Sequence, residues 1–179
     1  LLRAEGNGMI KVVTGIRRCG KSFLLFNIFR DCLLARGVSA DHIIQVNLED
    51  RRNKKLRDPD NLLEHIDSLM KDSEKYYIML DEVQLVKEFE DVLNSYLNVP
   101  NAEVYVTGSN AKFLSKDVIT EFRGRGWEIR IHPLSFSEYY EVVGGEKAEA
   151  LEQYYRYGGL PAVAAFEKAE DKQNYLREI

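Results

Sequence analysis

One eight-residue stretch, Gly15-Ile16-Arg17-Arg18-Cys19-Gly20-Lys21-Ser22, constrains this chain more than any other. Before it lies the apolar run Met9-Ile10-Lys11-Val12-Val13-Thr14. After it, Phe23, Leu24, Phe26, Asn27, Ile28 and Leu33 are spread through 21–35 at helical spacing. A buried strand, a glycine-bearing turn and a helix stopped at Gly37 are therefore expected in direct succession. The pattern then repeats. Strands are expected at 43–48, 76–80, 103–107 and 127–131. Helices are expected from Asp60 (as N-cap) through Leu62, Leu63, Ile66, Leu69 and Met70, and over 89–97. Short apolar runs alternating with amphipathic stretches describe a five-stranded parallel α/β sheet with helices on both faces. Beyond Pro133 the text turns helical, over 136–143 and 148–157, with Gly144-Gly145 and Gly158-Gly159 as breaks. This predicts a core over 1–143 and a helical segment over 144–179.

The eight residues satisfy G-x-x-x-x-G-K-[ST] at every fixed position. Glycines let the backbone curl so that its N–H groups face phosphate oxygens. The helix that follows presents further N–H groups and a positive dipole end to the same anion. Lys21 places an ammonium on the β- and γ-phosphates, and the Ser22 hydroxyl is a Mg²⁺ ligand. At ordinary glycine usage a chance match in a chain this long has a probability on the order of 1%. The alternative, a glycine turn that merely opens a helix, is further weakened by the strand before it. The nucleotide-binding set is Gly15, Ile16, Arg17, Arg18, Cys19, Gly20, Lys21, Ser22 and the adjoining Phe23. Cys19, beside Lys21 and a helix start, is open to redox control, but a small residue at a variable loop position is the plainer reading.

A second motif, Tyr76-Tyr77-Ile78-Met79-Leu80-Asp81-Glu82, is an apolar strand ending in two carboxylates. Asp81 is expected to hold Mg²⁺ together with Ser22, and Glu82 to orient or deprotonate the attacking water. Without the first motif, two solvated acids opening a loop would be the preferred reading. Val104 to Asn110 is another apolar strand with a polar exit. Ser109 and Asn110 are the candidates to contact the γ-phosphate or the water, with Thr107 third, although any strand exit favours such residues. Arg123-Gly124-Arg125-Gly126 precedes the last strand, and Arg125 is the candidate to reach a neighbouring subunit's γ-phosphate. The alternative is a solvated loop.

Arg51-Arg52-Asn53-Lys54-Lys55-Leu56-Arg57 carries five positive charges. It could meet nucleic-acid phosphates, but Glu49, Asp50 and Asp58 surround it and no aromatic is interleaved to stack on bases. A solvated loop is the preferred reading. The net charge of −4 gives no general attraction to nucleic acid. His42, His65 and His132 have no metal-ligand spacing. The apolar runs fall far short of the roughly 20 residues that span a bilayer. Two cysteines provide no disulfide framework and fit a reducing cytosol, so a cytoplasmic location is expected. The chain opens at Leu1 without Met, as expected of a piece of a longer protein.

With these residues in view, the chain resembles the AAA+-like branch of P-loop NTPases. More narrowly, it resembles a prokaryotic family of predicted ATPases that carries a C-terminal domain of unknown function. The matching text is Thr14 to Ser22, Leu80-Asp81-Glu82-Val83-Gln84, Thr107-Gly108-Ser109-Asn110 and Gly124-Arg125. Pro133-Leu134-Ser135-Phe136-Ser137-Glu138 and Tyr157-Gly158-Gly159-Leu160-Pro161 narrow it. The resemblance implies strand order 5-1-4-3-2 and nucleotide at the carboxyl ends of the strands. It also implies that 144–179 begins a lid or a linker to a further domain.

ATP hydrolysis with Mg²⁺, driving a conformational change in a homo-oligomer, is the leading expectation. The alternative is a nucleotide-dependent switch, or a DNA-associated regulatory ATPase, with little turnover of its own. Phosphoryl transfer to a small molecule fits less well, because Asp81-Glu82 and 107–110 suit water activation better than an acceptor pocket.

Overall fold

The computed structural model describes residues 1–108 and 124–179. They fall into two compact units, Leu1–Thr14 with Lys21–Arg130, and Gly15–Gly20 with Ile131–Ile179. The first unit holds a five-stranded sheet: β1 Ile10–Thr14, β2 Ile43–Asn47, β3 Tyr76–Asp81, β4 Ala102–Thr107 and β5 Gly126–Arg130. Its order is β2-β3-β4-β1-β5 with every pair parallel, which read from the other edge is 5-1-4-3-2.

Side-chain parity along the strands builds two separate apolar layers. Val46, Leu80, Val106 and Val12 stand in register across four strands. With Ile44, Ile78, Val104 and Ile10 they pack on Leu62, Ile66, Val92 and Leu93. Those four come from the helices Pro59–Leu69 and Phe89–Tyr96. The intervening positions Tyr77, Met79 and Tyr105 point to the opposite face, against Leu25, Phe29 and Leu33 of helical segment 21–35. Strands β1 and β3 are buried along their whole length, as expected of central parallel strands.

Local structure departs from the sequence expectation in two places. Asp58, not Asp60, caps the helix Pro59–Leu69. Its backbone is extended, its carboxylate accepts from the Asn61 N–H, and Pro59 occupies the first helical position. Asp60 lies inside the first turn, where its charge favours the positive helix end. Segment 21–35 is α-helical only at Lys21–Phe23 and Arg30–Ala35, with a π-helical stretch at Leu24–Phe29 between them. The Gln45 amide donates to the Phe26 carbonyl at 3.0 Å, supplying a partner where the ladder is irregular. This segment buries Leu25, Phe29 and Leu33, whereas Phe23 and Ile28 are exposed.

A buried ion pair joins Lys11 on β1 to Glu103 on β4, and Glu103 also accepts from the Gly6 N–H at 2.9 Å. Glu5 receives the Tyr77 hydroxyl and the Arg36 guanidinium, so the amino-terminal segment is pinned to the sheet by two carboxylates. Removing one partner of the buried pair leaves the other charge uncompensated, at a cost of about 3–5 kcal/mol. The exposed Arg36 contact is screened by solvent and is worth far less. Glu103→Ala is therefore expected to lower the urea midpoint far more than Arg36→Ala.

The second unit contains four helices among the described residues: Phe136–Val143, Lys147–Tyr157, Pro161–Ala165 and Ala169–Arg177. Phe136–Val143 belongs to this unit by its contacts. Ser135 and Glu138 form a reciprocal capping box at its start. The two motifs that narrowed the resemblance meet here. The Leu134 N–H donates to the Gly159 carbonyl at 2.7 Å, and the Tyr154 hydroxyl to the Leu134 carbonyl at 2.9 Å. A Cβ on Gly159 would collide with that Leu134 oxygen. Because backbone is the obstacle, Gly159→Ala is expected to cost about 1–3 kcal/mol. Gly37→Ala is the comparison, its Cβ meeting nothing within 4 Å but its φ of 89° carrying the left-handed penalty alone. Thermal melts of both variants separate collision from backbone strain.

Candidate functional site

Strand parity also places the polar residues at the carboxyl end of the sheet. Asp81 continues the face of Tyr77 and Met79, the one covered by segment 21–35. Leu80 pairs with Val106, so the next residues on β3 and β4, Asp81 and Thr107, leave the sheet side by side. Thr107 donates its hydroxyl to Asp81 Oδ1, and the Ser22 hydroxyl donates to the same oxygen at 2.9 Å. Asp81 is 2% exposed and Thr107 fully buried. Burial pushes the Asp81 carboxyl above its ordinary range, while the bonds from Thr107 and Ser22 pull against that rise. Lys21, 5% exposed, opens the same helical segment beside Ser22.

Glu82 leaves β3 in the left-handed conformation, φ 57° and ψ 47°, and its N–H donates to Thr107 Oγ1 at 3.1 Å. Thr107 therefore touches both acids of the motif. A non-glycine residue in this region carries roughly 1–2 kcal/mol of strain, which points to a position held for its side chain. The Gln84 amide donates to Glu82 Oε2 from the short 3-10 turn Val83–Leu85. On β1, the Thr14 hydroxyl donates to Glu128 Oε1 at 2.7 Å.

In the second unit, Gly15 has a φ of 150°, and an added Cβ would strike the Ile131 carbonyl. Cys19 is buried with its sulfur 3.8 Å from that carbonyl oxygen. Arg18, left-handed at φ 65°, sets its guanidinium 4.8 Å from the centre of the Tyr175 ring. Ile16 and Arg17 are exposed, and Gly20 takes a φ of 98°. The glycines of the motif thus sit where L side chains do not fit.

The sequence profile of a family described as "AAA domain" matches residues 7–140. The chain belongs to that family. An uncharacterized protein of Haemophilus influenzae is 34% identical over 169 residues, covering 91% of this chain and 42% of that protein. An uncharacterized protein of Methanocaldococcus jannaschii is 30% identical over 185 residues, covering 94% and 39%. The AAA domain chain thus spans about two fifths of the length of these curated relatives. Among solved structures, C. elegans PCH-2 is similar at a TM-score of 0.57 and 14% identity, covering 88% of this chain and 43% of that one. A DNA polymerase III gamma subunit-related protein from Thermotoga maritima is similar at 0.52 and 12%, covering 92% and 58%. These likenesses show the fold, and the family match identifies it as that of an AAA+-like P-loop NTPase.

Of the residues selected from sequence, Ser22 and Asp81 are in direct contact, with Glu82 next to them and Lys21 next to Ser22. Phe23 is 61% exposed on the following turn. Arg125 is exposed, its carbonyl accepting from the Ile10 N–H at 2.9 Å. Ser109 and Asn110 lie outside the described residues. Thr107, ranked behind them, is the residue bonded to Asp81. Its signal in the sequence was its place as the last residue of an apolar strand. Gln84 carries no local signal beyond its place in Leu80-Asp81-Glu82-Val83-Gln84.

The basic stretch forms a 3-10 helix, Arg51–Arg57, capped by Asp50. Arg52 pairs with Asp50, and Arg57 donates to the carbonyls of Leu48 and Glu49. Two of its five cations are thus engaged in holding the loop. No helix among the described residues is long and apolar enough to cross a membrane.

The left-handed geometry at Glu82 gives a direct test. Glu82→Gly is expected to be about 1 kcal/mol more stable than Glu82→Ala, because only glycine adopts this conformation freely. Equal urea midpoints for the two variants would contradict the geometry.

Proposed function

We propose that the chain binds ATP with Mg²⁺ and hydrolyses it. The observation that carries this reading is the 2.9 Å contact between Ser22, from the phosphate-loop motif, and Asp81, from the acidic strand. The two oxygens form a hard donor pair suited to Mg²⁺, which takes one or two protein oxygens and fills its sphere with phosphates and water. Bound there, the cation would neutralise charge developing on the phosphates.

In this reading the backbone of Gly15 to Gly20 cradles the phosphates and Lys21 neutralises the β- and γ-groups. Asp81, held by Thr107, keeps its carboxylate fixed for the cation's shell. Glu82 receives a proton from the attacking water. Ser109 and Asn110 remain the proposed contacts to the γ-phosphate. Arg125, exposed before the last strand, acts on the nucleotide of a neighbouring copy. The helices of 144–179 serve as a lid or as a link to further sequence.

Isothermal titration with ATP and Mg²⁺, beside phosphate release at several protein concentrations, tests the proposal. Lys21→Ala is expected to abolish or greatly weaken binding. Glu82→Gln is expected to keep binding and lose turnover. Normal hydrolysis by Glu82→Gln would take the base role from Glu82. Tight ATP binding without turnover at any concentration would favour a nucleotide-dependent switch.

A further inference from the structure

Gln84 combines two features that packing does not explain. Its side-chain amide donates to Glu82 Oε2, and its carbonyl oxygen, Oε1, is buried with no hydrogen-bond partner among the described residues. Chemistry fixes which end faces which group: an ionised carboxylate only accepts, so the NH₂ must be toward Glu82 and the carbonyl away from it. A buried acceptor left unpaired costs about 1–3 kcal/mol, and a catalytic role or a bound water is among the reasons a native protein keeps one. This orphan oxygen belongs to a side chain that already grips the proposed base, on a turn that starts from a strained left-handed residue.

We propose that Gln84 is the positioning residue of the hydrolytic step. Its N–H fixes the Glu82 carboxylate, and its Oε1 accepts one hydrogen of the attacking water. The water is then held at two points, by Glu82 through one hydrogen and by Gln84 through the other, with its lone pair directed at the γ-phosphorus. The water oxygen bonds to that phosphorus as the bond from phosphorus to the β,γ-bridging oxygen breaks. The electron pair leaves with ADP, one proton passes to Glu82, and the hydrogen on Gln84 stays with the inorganic phosphate formed. An aliphatic side chain at 84 would fill the same space and supply neither the hydrogen bond to Glu82 nor the acceptor for the water. A misplacement of about 1 Å at a reacting centre costs on the order of 100-fold in rate.

This inference rests on the hydrolysis reading above, and the experiment separates the two. The intact protein, Glu82→Gln, Gln84→Met and Gln84→Ala are compared for ATP affinity by titration and for kcat and KM by phosphate release, with melts to confirm folding. Gln84→Met keeps the volume and loses both hydrogen bonds. The expected result is a roughly 100-fold fall in kcat for both Gln84 variants, with ATP affinity and KM within about twofold of wild type. Gln84→Met with wild-type kcat, or a KM effect without a kcat effect, overturns the positioning role while leaving hydrolysis standing. Wild type that binds ATP and never turns over overturns the hydrolysis reading and this inference together.

Discussion

The Asp81 carboxylate is the point on which the described site depends. It lies at the end of a strand buried on both faces and receives hydroxyl hydrogen bonds from two other elements, Ser22 and Thr107. A carboxylate taken out of water is costly, and hydrogen bonds to its charged form offset part of that cost. The arrangement is possible because strand parity sends Asp81 to the face covered by segment 21–35, where Ser22 begins the helix. A one-residue slip of β3 would turn Asp81 to the opposite layer, that of Val46, Val106 and Val12, and bring an apolar side chain to Ser22. The register of Val46, Leu80, Val106 and Val12 guards against that slip, so the apolar core and the polar site are fixed by one constraint.

Thr107 extends this logic. One hydroxyl serves Asp81 as a donor and the Glu82 backbone as an acceptor, so both acids are set by the end of β4. Gln84 then reaches back to the Glu82 side chain. Acids that the sequence shows as neighbours are thereby given different surroundings: Asp81 buried and doubly bonded, Glu82 half-buried on a strained turn. In the second unit the same economy appears in backbone contacts. Gly15 lies against the Ile131 carbonyl and Gly159 against that of Leu134, so two glycines far apart in sequence are required by one short segment.

Much of the fold was legible because the relevant signals are local. Short apolar runs, glycine after a strand, and Ser135 with Glu138 three residues later each act within a few residues. The helical period of 21–35 was read less well. Phe23 and Ile28 joined the expected apolar set and are exposed, while Leu25 and Phe29 carry the packing, and a π-helical stretch shifts the face presented to the sheet. Asp60 and Asp58 are equally good capping residues by type. Only the extended backbone at Asp58, set by Pro59, decides between them.

By itself the sequence determined the element types, the phosphate-loop motif and the identities of Lys21, Ser22, Asp81 and Glu82, because spacing and residue chemistry suffice for those. Tertiary structure decided which polar residue meets Asp81, that Gln84 holds Glu82, and that Arg52 and Arg57 spend their charge within their own loop. These pairings join residues 25 to 59 positions apart at Thr107–Glu82 and Ser22–Asp81, or depend on turn geometry within a loop. A linear pattern carries no information on which strand ends lie level. Sheet order and register supply it, and they are set by the burial of whole faces rather than by any local run of residues.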